Sequence, residues 1–129
     1  MSQIQSLHQH AMDLAEAATF ARLRGALEQA AQFTRQAFEQ ETQAAALIAS
    51  ALDAEPIRSV LHRSAASLAI ECGEIRTAER LIATALSGNP PPEIAEELKD
   101  LFIQINLNQY LKRQGIQIDI NELRGLVNQ

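Results

Sequence analysis

The chain matches itself at a fixed spacing. Gly25 falls on Gly73 at an offset of 48 residues, and the same shift pairs Ala17 with Ala65, Ala18 with Ala66, Ala21 with Ala69, Ala30 with Ala78 and Ala37 with Ala85. Leu27 then meets Ile75, Phe33 meets Leu81 and Phe38 meets Leu86. Alanine is common here, so chance has to be weighed. Residues 14–38 hold 8 alanines and residues 62–86 hold 6, which chance alignment would pair about twice, against five pairs found. A doubled unit of two helices joined by a glycine turn is the mark of a helical solenoid, and solenoids mostly present surfaces. The competing reading is two unrelated amphipathic hairpins with small residues at their crossings.

The periodicity places five main helices. The first spans about 2–23, with Ser2 as N-cap and Ile4, Leu7, Ala11, Leu14, Ala18 and Ala21 on one face. The second spans about 26–52, and its apolar stripe is interrupted by Glu41. Pro56 turns Glu55 away from helix and opens the third, about 56–72, with Ile57, Val60, Leu61, Ala65, Leu68 and Ala69 inward. The fourth spans about 74–87 and stops at Gly88-Asn89. The fifth spans about 91–114, with Ile94, Leu98, Leu101, Phe102 and Ile105 on a broad apolar face. Ile103, Leu107, Tyr110 and Leu111 add apolar surface elsewhere on it, so it is expected to meet more than one neighbour. Asp119 with Glu122 resembles a capping box, so a short terminal helix is expected to run to Val127 in a polar tail, 115–129. Only 116–120 alternates as a strand does, and it reads as a linker or a helix start.

Composition fits one all-α domain over 1–129. Hydrophobic residues make up 47% and aromatics 4%, without Trp, so Leu, Ile and Ala must fill the core, which suits closely packed helices. A net charge of −5 without a basic run argues against nucleic acid as partner, because phosphate neutralisation supplies most of such binding. No apolar run approaches the roughly 18 residues of a membrane span. The start of the chain lacks the basic and apolar stretches of a signal peptide. Cys72 is the single cysteine, which excludes an internal disulfide. A reducing, cytoplasmic setting is therefore expected.

The segment from His62 to Pro90 resembles a tetratricopeptide (TPR) repeat. The family pattern falls on His62, Ala65, Ala66, Ala69, Ala78, Ile82 and Pro90, with Gly73 at the turn. Leu14, Ala17, Ala18, Ala21, Ala30, Thr34 and Thr42 follow the same spacing. The aromatic positions are missing in both units, and the period is 48 residues where the family has 34, an excess that a long second helix can absorb. The stretch from His62 to Leu98 also resembles segments of uncharacterised bacterial proteins, which suggests a bacterial source. The TPR resemblance implies a right-handed stack of antiparallel helix hairpins: repeat 1 about 2–52, repeat 2 about 56–88, and a long capping helix about 91–114. It also implies a concave face lined by the first helix of each unit. On that basis Met12, Ala15, Thr19 and Arg22 face a partner in the first unit, and Val60, Arg63, Ser67 and Ile70 in the second.

The expected function is non-catalytic binding of a protein or peptide, as an adaptor or regulatory subunit. Arg22 and Arg63 could clamp a partner's carboxylate, or be solvated or paired with nearby glutamates. Ile103, Leu107, Tyr110 and Leu111 offer an alternative, burial against a second copy in a homodimer. A small helical enzyme or metal protein is the third reading. His8 with Met12, or His10 with Asp13, has ligand spacing, but His8 and His10 point to different sides of a helix. Cys72 lies about 15 Å along the helix from His62, which is expected to be a packed or half-exposed residue. The thiol itself reads as buried and inert. No phosphate loop, nucleophile elbow or HExxH occurs, so no catalytic residue, metal or cofactor is expected.

Overall fold

The structure, a computed structural model, describes residues 2–115, and over that stretch its regular structure is α-helix alone, with no strand among the described residues. The order is α1 (Ser2–Leu23), α2 (Leu27–Ile48), α3 (Ile57–Glu71), α4 (Ile75–Leu86) and α5 (Pro92–Arg113). The fold is therefore all-α, as the periodicity indicates. The terminal helix, the Asp119–Glu122 capping box and the alternating stretch 116–120 lie outside the described residues.

The two glycine bends share one conformation. Gly25 and Gly73 take φ of +80° and +77°, a left-handed geometry open to residues without a Cβ. Gly25 N–H donates to Arg22 O at 3.0 Å and Ala26 N–H to Ala21 O at 2.8 Å. Gly73 N–H donates to Ile70 O at 3.0 Å and Glu74 N–H to Ala69 O at 2.8 Å. Both sets are the paired bonds of a Schellman motif, which satisfy carbonyls left over at the helix end. The next residues agree too: Ala26 has φ −84° and ψ 69°, Glu74 φ −87° and ψ 68°.

Small residues bring the helices together. Ala18, Ala21, Ala30 and Ala37, and their counterparts Ala66, Ala69, Ala78 and Ala85, are all buried. With so few aromatics, close backbone approach replaces bulk as the means of filling space. α1 packs on α2, α3 on both α2 and α4, and α5 on both α3 and α4. Ile82, Leu98, Ile94 and Phe38 anchor one core, and Ile48 and Leu61 with Ala44, Ala45 and Ala65 anchor a second, against which Ile4 and Leu7 pack.

One expectation needs correction. Between the two glycines lie α2 with 22 residues, the connection 49–56 and α3 with 15, while the second helix does not reach residue 52; it stops at Ile48. The cause is tertiary. In a continued helix the Ala49 carbonyl would accept from the N–H four residues on. Here it accepts from Arg58 Nε at 2.7 Å, and the chain turns through Ala51 N–H to Ile48 O at 3.1 Å.

Arg58 fixes this end of the molecule. Its side chain is buried in the first turn of α3. Besides Ala49 O, it donates from Nη2 to Thr84 O at 2.9 Å and from Nη1 to Ala85 O at 3.5 Å. One guanidinium thus joins the C-terminal ends of α2 and α4, where free carbonyls and the helix dipole favour a cation. Glu55, with a carboxylate oxygen 3.9 Å away, balances the charge and also accepts from Ser59 N at 3.0 Å and Ser59 Oγ at 2.9 Å. A Cβ on Gly88 would collide with Arg58 Nη1 and lie 3.1 Å from Cζ. Gly88 is small because the guanidinium passes over it.

Arg58→Ala is expected to lower the unfolding free energy by about 3 kcal/mol or more, since it takes the donor from the Ala49 carbonyl and leaves the Glu55 charge without its partner. Gly88→Ala in the native background is expected to cost about 1–3 kcal/mol through overpacking. In the Arg58→Ala background that cost should largely vanish. Urea unfolding of the double-mutant cycle measures it, and strict additivity would refute the clash.

Candidate interaction surface

The residues expected to face a partner differ in exposure. On α1, Thr19 and Arg22 are exposed, while Met12 is half-buried and Ala15 packs on the core. Thr19 Oγ1 donates to Ala15 O at 3.2 Å and accepts from Arg22 Nη2 at 3.3 Å. On α3, Ser67 is exposed, whereas Val60 and Ile70 are half-buried against the core. Arg63 donates from Nη1 to both Glu97 oxygens at 3.1 and 3.2 Å, tying α3 to α5. Its guanidinium is thus engaged within the chain, and no second arginine joins Arg22 from that position. On α5, Ile103 and Tyr110 are exposed and Leu107 is half-buried. Arg113 sits 6.0 Å from the centroid of the Tyr110 ring.

Two clefts open at the end of the molecule that carries the glycine bends. The first, 740 Å³, lies between the α1–α2 bend and the end of α3, with Arg22, Leu27 and Arg35 on one side and Glu71 and Cys72 on the other. The second, 240 Å³, lies between the α3–α4 bend and the second half of α5, with Ile70 and Ile75 facing Ile105, Asn108 and Lys112. Arg22 and Leu27 become Ile70 and Ile75 under the 48-residue shift, so the two clefts occupy corresponding places. Arg22, expected at a partner surface, lines the first cleft together with Arg35 and Cys72, whose place there has no signal in the sequence. Cys72 is half-buried, and burial pushes its thiol pKa up against the opposing pull of Arg35.

Of the three largest buried polar groups, the sequence indicates only His62 as a packed residue. Glu41 in α2 is fully buried, and His8 of α1 donates from Nδ1 to its two oxygens at 3.0 and 2.9 Å. Burial raises the Glu41 pKa; the hydrogen bond and charge of His8, and a hydrogen bond from Ser64, oppose the rise. Its signal was the break in the apolar stripe of α2. His62 is buried, its Nδ1–H donating to Arg58 O at 2.7 Å, and burial lowers its pKa, so it packs as a neutral ring. Arg58 gave no signal beyond lying on the inward stripe with Leu61 and His62.

The metal-ligand spacings on α1 have local partners: His8 is bonded to Glu41, and Asp13 accepts from Gln9 Nε2 at 3.0 Å. Among the described residues, no group of three or more His, Cys, Asp or Glu side chains converges on one point. None of the described helices is long and apolar enough to cross a membrane. Compared with protein-family models, curated proteins and solved structures, the chain matches none of them.

The Glu41 carboxyl sets a pH dependence. Its folded pKa lies above the unfolded one, so the folded state holds this proton more tightly. The stability it contributes is complete below the unfolded pKa and is lost as pH rises through the folded value. Relative to Glu41→Gln, the wild-type chain is expected to lose unfolding free energy from about pH 4.5 upward. The slope should not exceed about 1.4 kcal/mol per pH unit for one proton. Parallel pH profiles from urea unfolding would remove Glu41 as the source.

Proposed function

We propose that this chain is a non-catalytic protein–protein interaction module, an adaptor or regulatory subunit of the cytoplasm, arranged as a short TPR-like stack of antiparallel helix pairs. The observation that supports this is the placing of large apolar side chains in water. Phe20, Leu23 and Leu27 are 52%, 78% and 68% exposed around the first bend. Phe102, Ile103 and Tyr110 are 39%, 50% and 51% exposed on α5. Apolar groups gathered in this way favour a macromolecular partner. The shared conformation of the two bends, with the buried alanines beside them, supports the TPR-like arrangement. The acidic charge balance favours a protein over a nucleic acid.

The exposed side chains of α5 favour a second reading, in which Ile103, Leu107 and Tyr110 bury against another copy of the chain. The two readings separate by experiment. Under the first, the purified chain is monomeric by light scattering. A partner captured from the native cell then binds the pure chain directly. Ser67→Arg, on the exposed side of α3, should weaken that binding by at least about tenfold, or 1.4 kcal/mol. A stable dimer dispersed by Ile103→Lys would establish the second reading instead.

A further inference from the structure

We propose that the larger cleft, at the first bend, receives an acidic, partly apolar segment of a partner protein. An apolar side chain of the guest rests on Leu27, Ala30 and Ala31, and a carboxylate of the guest is held by Arg22. This rests on the interaction-module reading above and names the chemistry of the partner.

The contrast between the two clefts carries the proposal. They occupy corresponding places, yet the first is about three times the volume of the second, 740 against 240 Å³. The helix at the far wall explains the difference. α5 has 22 residues, and its turns from Gln104 to Lys112 line the smaller cleft. α3 has 15 residues and ends at Glu71, so it leaves the larger cleft open. The side chains left in water follow the same contrast. At the second bend Leu68 is buried and Ile75 half-buried; their counterparts Phe20 and Leu27 are both exposed. Among the described residues, the first bend thus lacks the cover that the second obtains from α5.

Charge selects what can cover it. Where the second cleft has Ile70, the first has Arg22, whose side chain bonds only the Thr19 hydroxyl among the described residues. Arg24, at the tip of the same bend, donates to Gln29 Oε1 at 3.2 Å and to no other side chain among the described residues. Arg35 also lines the cleft, pairs with Glu74 at 3.3 Å, and keeps about half of its side chain exposed. A guanidinium fork without a carboxylate partner, beside an apolar floor, matches a guest carrying both kinds of group. Glu71 stands at the α3 wall and repels the guest's anionic end, which is thereby directed to the α1 wall. An anionic lipid surface shares this chemistry, but a recessed floor suits a protruding side chain better than a flat bilayer.

The test uses the whole chain and synthetic amphipathic peptides of about 15 residues that share one Leu/Phe face and carry Glu, Gln or Lys at every polar position. Cys72 is the single cysteine and lines the cleft, so its alkylation rate by iodoacetamide reports occupancy. The Glu peptide is expected to bind at least about tenfold more tightly than the Lys peptide, less so at high salt, and to slow alkylation of Cys72. Arg22→Glu is expected to weaken the Glu peptide by at least about tenfold and restore alkylation; Arg24→Glu, an equal charge change outside the cleft, should weaken it by less than about threefold. Equal binding of all three peptides, or binding that leaves Cys72 alkylation unchanged, would overturn the proposal. So would association with phosphatidylserine vesicles alone, lost on Leu23→Glu. A captured native partner that is lost on Ser67→Arg but binds Arg22→Glu unchanged would remove this cleft and leave the module reading standing.

Discussion

A buried guanidinium organises one end of this molecule. Arg58 reaches carbonyls at the ends of α2 and α4 from the start of α3, and Glu55 keeps its charge company. Removing a cation from water is expensive, and such a group persists only where the hydrogen bonds around it are nearly complete. That demand fixes the neighbours. It ends α2 at Ile48, it holds the last turn of α4 beside the first turn of α3, and it leaves no room for a side chain at residue 88. The same end shows why hydropathy alone describes this core poorly: three of its largest fully buried side chains are Arg58, His62 and Glu41.

The remaining contacts are made of small parts. Alanines lie at the helix crossings, and Leu and Ile fill what close approach leaves over. Such seams bring backbones near one another but bury little area per residue, so each contributes modestly. Polar links then set orientation. His8 to Glu41 aligns α1 on α2, and Arg63 to Glu97 aligns α3 on α5. Exposed pairs of the second kind add little energy, whereas the first sits where a misplaced partner would leave a carboxylate bare in the interior.

The helices were legible because their signals are local. Gly25, Gly73 and Gly88-Asn89 mark stops that the structure keeps within a residue or two, and the apolar stripes identify the buried faces. The end of α2 was not legible, because it depends on a side chain nine residues further along the chain. The candidate surface was legible in part. Arg22 and Thr19 are exposed, but nothing local announces that Arg63 turns to Glu97, or that Cys72 and Arg35 share a cleft with Arg22. Such groupings belong to tertiary geometry, where residues distant in the chain meet.

The helices alternate in direction, so both Schellman bends and the close of α5 gather at one end, and the two longer connections gather at the other with Arg58. This gives the molecule a polarity of constraint. At the Arg58 end nearly every substitution must answer to a buried ion and its carbonyls. At the bend end a glycine fixes the backbone, and the flanking side chains answer to what they meet outside the fold rather than to a buried ion. Diversification of surface chemistry, by natural descent or by design, would therefore proceed from the bends while the opposite end stays still.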